Sequence, residues 1–555
     1  MKGQQADDGG GSFDDLLTTI GRLGSWQWQI LVWLALFEMV IGALNAAVVM
    51  YQITPQFHCD VGFAHDNQWS TREKLRLSSP TKETLLGGEE RDPCEYYPLN
   101  ATYSSLPTNF TQALAFVQAN RGNETTTCEN WLFDTSKDMT HTAVTDYKLV
   151  CENRLGVEYS QSAYFAGWFF GCLVSGALAD RFGRKPIIVV FGCVAAVLAC
   201  TLSFLPQLWM FILCRALLAF FLQGGTVPIV ILALEVSRTV DRKWVINFLF
   251  TIYGLGHIAV PSVAFVLRDW KWMHLALAAP AAVCFVFPWV LPESPRWLLA
   301  LGRLEEADRI LKRAAKVNGK TLDPSYKLES VANSLSATVS KKTILSVFTL
   351  AGFKPKYPKL LTRAIVMFFT WCAVSMVFYG ILLNISSYSG DRYLNHLISG
   401  VIGVPAHLLL APLMHWGRKR STLIAVVATG IALLLLPWIK DDESWHWLLI
   451  STLMIGKLCA TAAFGLIYPY TSELYPTVIR ASGLAWSSSA ARVGAILSPY
   501  VASIGKFDTS LCWTTEVIFG AVALATASVI LVLPETKGVT MPETLEEAED
   551  MDYTS

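Results

Sequence analysis

Arg492 stands in the middle of WSSSAARVGAILSPY, residues 486–500, a stretch otherwise built of apolar and small residues. An ionisable side chain at membrane depth is expensive and faces a polar interior. Arg492 is halfway along its stretch, too deep to reach either interface by snorkelling. Its expected partner is a carboxylate of the protein or of a ligand, with Ser488 and Ser489 one turn before it. Glu38 is the first protein candidate. Gly42 and Asn45 follow it at four and seven residues, so the three share one helical stripe. His407 in GVPAHLLL and Lys457 are further polar residues inside apolar runs. The stretch FFTWCAVSMVFYG supplies Trp371, Phe378 and Tyr379, and Tyr253 and Tyr468 lie in other apolar runs. Such rings bind a quaternary or protonated amine through cation–π attraction. Arginine and aromatic walls together suit a zwitterion. They suit an organic anion if Glu38 pairs elsewhere, and a plain cation if the protein neutralises Arg492. Against a ligand site stand a structural Glu38–Arg492 ion pair and ordinary packing of the rings.

A second set of charges recurs in pairs about 240 residues apart. DRFGRKP at 180–186 is echoed by HWGRKRS at 415–421. Glu235 precedes Arg242 by seven residues in LEVSRTVDR, as Glu473 precedes Arg480 in SELYPTVIR. LPESPRWLL at 291–299, with Glu293, is echoed by LPETKG at 533–538. Three motifs repeated in the same order indicate two related halves. Asp180 is placed to accept from a helix N-terminus. Arg184, Arg242 and Arg480 are expected to pair with Glu235, Glu473 and Glu293 across the halves, closing one face as a gate. The alternative is simple anchoring at lipid headgroups.

The elements that must hold these residues are membrane helices. The chain has 555 residues, 53% hydrophobic, 16% charged, with formal net charge zero. A soluble protein carries about a quarter charged residues, and zero net charge argues against nucleic acid as a partner. Apolar blocks of about 20 residues fall at roughly 27–50, 157–179, 186–206, 208–235, 245–266, 272–292, 362–384, 393–415, 420–438, 446–470, 481–504 and 513–533. The expectation is an all-α membrane protein of twelve transmembrane helices in two pseudo-symmetric six-helix bundles. Residues 1–26 form a cytoplasmic N-terminus without a secretory signal, 27–50 helix one, and 157–292 helices two to six. Residues 362–533 form helices seven to twelve. Residues 293–361 form a basic cytoplasmic loop and 534–555 an acidic cytoplasmic tail, with both termini inside by the positive-inside tendency. Residues 51–156 form a large extracellular loop between helices 1 and 2. It carries the sequons at Asn100, Asn109 and Asn123 and the cysteines Cys59, Cys94, Cys128 and Cys151, which allow three disulfide pairings. The other eight cysteines read as small core residues.

GALADRFGRKP, LPESPRWLL, TSELYPTVIRASG and LPETKG resemble the major facilitator superfamily, and within it the organic cation, anion and zwitterion transporters. CENWLFDTS…TAVTDYKLVCENR is similar to the pattern that ends that family's first outer loop, which sugar transporters lack. RDWKWM, PESPRWLL and YTSELYPTVIR look closest to the carnitine and organic-cation branch. The ARVG around Arg492 is shared with anion and carnitine transporters, where typical organic-cation transporters carry an aspartate. Trp371 and Phe378 match aromatic positions of organic-cation transporters. Anion transporters have a lysine where His407 stands, and many relatives an acid where Gly403 stands.

The resemblance implies a polyspecific secondary transporter of small organic cations and carnitine-like zwitterions in the plasma membrane, working by alternating access. Its partners are small organic ions, the lipid bilayer and a co-transported or exchanged ion. The alternatives are an organic anion exchanger of the same fold and a non-transporting surface receptor that kept it. No phosphate-binding glycine–lysine loop, His-Glu-x-x-His or Cys-x-x-Cys pattern is present, so no enzyme, cofactor or metal is expected.

Overall fold

In the computed structural model, the structure describes residues 13–61, 69–83, 89–98, 107, 109–135, 139–321, 328–332, 358–385, 388, 390–439, 445–476, 479–506, 511, 513–538 and 545–550. Helices dominate because the apolar blocks, once out of water, must satisfy every backbone N–H and C=O internally. Among the described residues, nine helical segments are long and apolar enough to cross a membrane.

A short amphipathic helix α1 (Phe13–Ile20) precedes α2 (Ser25–Tyr51). The first half continues with α3 (Gly156–Phe182), α4 (Arg184–Leu202), α5 (Leu208–Glu235), α6 (Arg242–Leu267) and α7 (Trp270–Ala278), the last prolonged by looser turns to Val290. A surface helix α8 (Leu304–Val317) follows. The second half comprises α9 (Pro358–Asn384), α10 (Arg392–Leu408), α11 (Arg418–Leu435), α12 (His446–Leu474), α13 (Arg480–Ser503) and α14 (Thr514–Ile530), and α15 (Leu545–Asp550) is the last described element. Three of the twelve expected spans, α10, α13 and α14, are not among the nine. The first carries Pro405 and breaks at Leu409, the second is rich in serine, and the third is short.

The halves repeat in packing as well as in sequence. In the first, Gly256 of α6 lies so close to the Met39 carbonyl of α2 that a Cβ would collide with it. In the second, Gly494 of α13 lies against the Cys372 carbonyl of α9 in the same way. Both glycines are 14 residues past their helix start (242 to 256, 480 to 494), and both carbonyls likewise (25 to 39, 358 to 372). Helix α3 meets α13, and α6 meets α10, where the halves join.

The described residues between Phe57 and Cys151 build a small unit between α2 and α3. Three two-stranded ribbons and the helices Thr71–Ser78 and Phe110–Asn120 enclose a core of Cys59, Val61, Trp69, Leu77, Ala113 and Val117. The disulfides are Cys59–Cys128 and Cys94–Cys151, one of the three pairings left open by the sequence. Seven described cysteines are free; Cys512 lies outside the described residues. Asp146 ties the unit to the first half, accepting from the Trp270 indole at 3.0 Å and pairing with Lys271 at 2.7 Å. Asn109 and Asn123 are exposed, whereas Asn100 lies outside the described residues.

Candidate functional site

The repeated charges form two matching clasps on the face opposite this unit. In the first half, Arg184 pairs with Glu235 through Nε at 3.0 Å and Nη2 at 3.1 Å, and with Asp180 at 3.2 Å. Glu293 accepts from the backbone N–H of Arg184 at 2.9 Å and of Lys185 at 3.3 Å, at the start of α4. Arg418 takes the place of Arg184 in the second half, pairing with Glu473 at 3.0 Å. Glu535 takes the place of Glu293, accepting from the N–H of Arg418 at 2.7 Å and of Lys419 and Arg420 at 3.3 Å. Thr536 completes this clasp with a 2.6 Å bond to Glu473. Gly183 and Gly417 enter both clasps with φ of +102° and +123°, and a Cβ on either would strike the glutamate. Burial pushes the Glu293 carboxyl up from 4.5, against the N–H bonds that favour its charge. Glu535 is pushed up by burial too, but its backbone N–H bonds win and hold it below 4.5.

These clasps differ from the expected gate. Each pair formed by the motif residues lies within one half, because the helices that carry it are sequence neighbours in one bundle. Arg242 and Arg480 do not pair with the glutamates. Their Nε atoms donate to the carbonyls of Leu234 at 3.4 Å and Tyr475 at 3.3 Å, closing the turns that enter α6 and α13. The helix-start role expected of Asp180 belongs to Glu293, while Asp180 is exposed. Arg418 and Glu535, which the repeats contained, are the members that residue-by-residue reading passed over.

The deep residues meet where the halves face each other. Arg492 is half-buried, with its guanidinium carbon 4.2 Å from the Trp168 ring centroid. Cys172, Tyr379, Tyr468 and Tyr253 lie within its electrostatic reach, and among the described residues no carboxylate forms an ion pair with it. Glu38 is 2% exposed, and its Oε1 has no hydrogen-bond partner. The two therefore do not form the structural ion pair that was the alternative to a ligand site: α2 and α13 belong to different halves, and tyrosines lie near the guanidinium. Ser488 and Ser489 turn back to the Ala485 carbonyl, at 3.1 and 2.8 Å.

The rings form a continuous wall. Trp168 lies 6.1 Å from Tyr379, Tyr379 5.1 Å from Phe378, and Phe378 stacks on Phe464 at 5.2 Å. Phe464 leads to Trp371 at 6.0 Å, which meets Tyr468 edge-on at 4.5 Å. Trp371 is fully buried, its indole N–H held by Thr471 at 2.8 Å, so it supports the wall from behind. Asn45 donates to the Tyr253 hydroxyl at 2.6 Å and links α2 to α6. His407 is exposed, bonded to the Gly403 carbonyl at 2.7 Å and stacked with Phe250, apart from this wall. Nothing lies within 4 Å of a Cβ at Gly254 or Gly403, which leaves room at both.

Three contributors were not assigned to the site from the sequence: Phe464 and Trp168, which it did not single out, and Lys457, which it marked only as a polar residue in an apolar run. Lys457 is 4% exposed, and its ammonium sits 4.0 Å above the Phe378 ring. Its helix offered a signal: Lys457, Phe464, Tyr468 and Thr471 follow at seven, eleven and fourteen residues, one stripe of α12. Phe464 belongs to that stripe. Trp168, in a run of aromatics on α3, carried no mark to set it apart. With one cation on Trp168 and another over Phe378 in the middle of the wall, the arrangement can hold an anionic group on Arg492 and an alkylammonium against the remaining rings.

The profile of the family described as "Sugar (and other) transporter" matches residues 105–548. The chain is 30% identical over 553 residues to the "Organic cation transporter protein" of Drosophila melanogaster, covering 97% of this chain and 94% of that one. It is 29% identical to the "Organic cation/carnitine transporter 2" of Homo sapiens, covering 96% and 93%. Its fold is similar to the inward-open xylose transporter XylE from E. coli, with a TM-score of 0.59, 15% identity, and coverage of 94% and 99%.

Proposed function

Because this chain belongs to the major facilitator superfamily, in its family of organic cation, anion and zwitterion transporters, we propose that it carries small organic cations and carnitine-like zwitterions across the plasma membrane by alternating access. Twelve crossings put both termini in the cytoplasm on the side of the two clasps, and the disulfide-bonded unit outside, where Asn109 and Asn123 are open to glycosylation. Asn109 caps its helix through Oδ1, a bond to Thr111 N–H at 3.1 Å, and that cap does not use the nitrogen that would carry the sugar. The observation that carries the substrate reading is Arg492, a deep guanidinium on the Trp168 ring that forms no ion pair among the described residues. A substrate carboxylate pairs with it, and the substrate ammonium lies on Tyr379, Phe378 and Tyr468.

The two halves touch near the outer end of this orientation. Ser162 of α3 donates to the Ile496 carbonyl of α13 at 2.8 Å, Tyr159 meets Tyr500 at 6.4 Å, and Phe265 meets Tyr393 at 5.6 Å. No ion pair of the clasps crosses between the halves on the inner side, which is what an inward-open state requires.

The test is uptake by expressing cells of a carnitine-like zwitterion, a quaternary amine without a carboxylate, and a dicarboxylate, normalised to surface protein. Arg492→Ala is expected to cut zwitterion uptake about 30-fold or more, as loss of one partner of a buried charged pair does, while the quaternary amine is still carried. Unchanged zwitterion uptake contradicts the assignment. The sign of the unpaired cations Lys457 and Arg492 favours one second reading, organic anion exchange on the same fold, and the dicarboxylate in the panel distinguishes it.

A further inference from the structure

Beside the ring wall, which Lys457 touches through Phe378, three basic side chains face the junction between the halves. His257 comes from α6 in the first half, His396 from α10 and Lys457 from α12 in the second. His396 is 2% exposed and its Nδ1 has no hydrogen-bond partner; the Nε2 of His257 is likewise buried and unpartnered. Each histidine lies within electrostatic reach of Lys457, and His257 within reach of His396. Among the described residues no acidic group contributes to the field at any of the three. Among the described residues Lys457 forms no ion pair, and its ammonium lies over the face of Phe378. Tyr253 lies beside His257 at 5.1 Å with the rings tilted, and its hydroxyl accepts from Asn45.

Buried polar atoms are almost always hydrogen-bonded, and buried cations are paired. Three bases from three helices lie within electrostatic reach of one another, and His257 Nε2 and His396 Nδ1 are buried and unused, so the cluster lacks a shared acceptor. We propose that His257, His396 and Lys457 form a binding site for a small anionic group, distinct from Arg492. An anion there bonds the ammonium and the imidazole N–H groups, and cancels their mutual repulsion across the α6–α10 junction. Its occupancy thus favours the conformation in which these two helices are packed, which ties it to alternating access. The site needs the fold and this cluster only, and does not rest on the substrate proposed for Arg492.

Full-length protein in neutral detergent is melted by tryptophan fluorescence in sodium gluconate, with chloride or propionate replacing gluconate at constant ionic strength. The wild-type melting temperature is expected to rise by about 2–4 °C. A rise with chloride assigns the site to a free inorganic anion. A rise with propionate alone assigns it to the carboxylate of an organic substrate. Lys457→Met abolishes the rise and Lys457→Arg keeps it. If Lys457→Met does not fold, the His257→Gln, His396→Gln double variant carries the same expectation. Arg492→Ala keeps the rise while losing zwitterion uptake, which separates this site from the other. No rise with either anion, or a full rise in Lys457→Met, overturns the proposal.

Discussion

Glu535 and Glu293 occupy equivalent places yet lean in opposite directions. Glu535 is held below 4.5, so its contribution to stability is present above 4.5 and is lost as pH falls through its folded value. Glu293 is raised above 4.5, so its contribution is complete below 4.5 and declines as pH rises through its folded value. Hydrogen exchange corrected for intrinsic rates is expected to show protection falling at Arg418–Arg420 on acidification below 4.5, and not at Arg184–Lys185. A parallel loss at both segments contradicts the asymmetry. Glu235 is mostly buried beneath Arg184, so Arg184→Ala leaves a carboxylate stranded and is expected to destabilise by about 3 kcal/mol. Charge placement was readable in the sequence because helix-end motifs repeat with fixed spacing. Partner choice was not, since Arg184–Glu235 and Arg184–Glu473 look alike until the helices are placed. Trp168 beneath Arg492 was hidden for the same reason: one ring in an aromatic run is chosen by its neighbour, not by its spacing.

At the scale of elements, the helix boundaries followed from apolar length. Ser25–Tyr51, Leu208–Glu235 and His446–Leu474 begin within two residues of where the apolar blocks begin. The exception in character is α13, whose serines and Arg492 make it a poor span by hydropathy, yet it packs on α9 through Gly494. Gly256→Val and Gly494→Val should each force a helix pair apart, costing about 1–3 kcal/mol or more, with loss of folded protein at the surface. Gly254→Ala, which meets nothing within 4 Å, serves as the neutral control. Normal melting of both valine variants contradicts the packing. Helices α2 and α9 are capped alike from outside their bundles. Asn318 at the end of α8 accepts from the Trp26 N–H at 2.9 Å, and Glu549 of α15 accepts from the Lys359 and Leu360 N–H at 2.9 and 3.0 Å. No residue spacing announces such a cap, because it depends on where a distant segment returns.

At the scale of the molecule, each clasp stiffens one half and leaves the other free. Among the described residues the halves meet mainly through α3 with α13 and α6 with α10, with a slight touch of α2 and α9 and ring contacts from α3 to Tyr379 of α9. That is the mechanical form alternating access needs: two rigid bodies with a polar seam. Arg492 and the ring wall lie on this seam, with the wall reaching from Trp168 in the first half to Tyr468 in the second. The most direct measurement compares binding of a carnitine-like zwitterion with that of its methyl ester, in wild type and in Arg492→Ala, by calorimetry on purified protein. The wild type should prefer the free carboxylate by at least about tenfold, as a charge-assisted bidentate pair implies, and the variant should bind acid and ester equally. An undiminished preference in Arg492→Ala would show that the carboxylate rests on some other group.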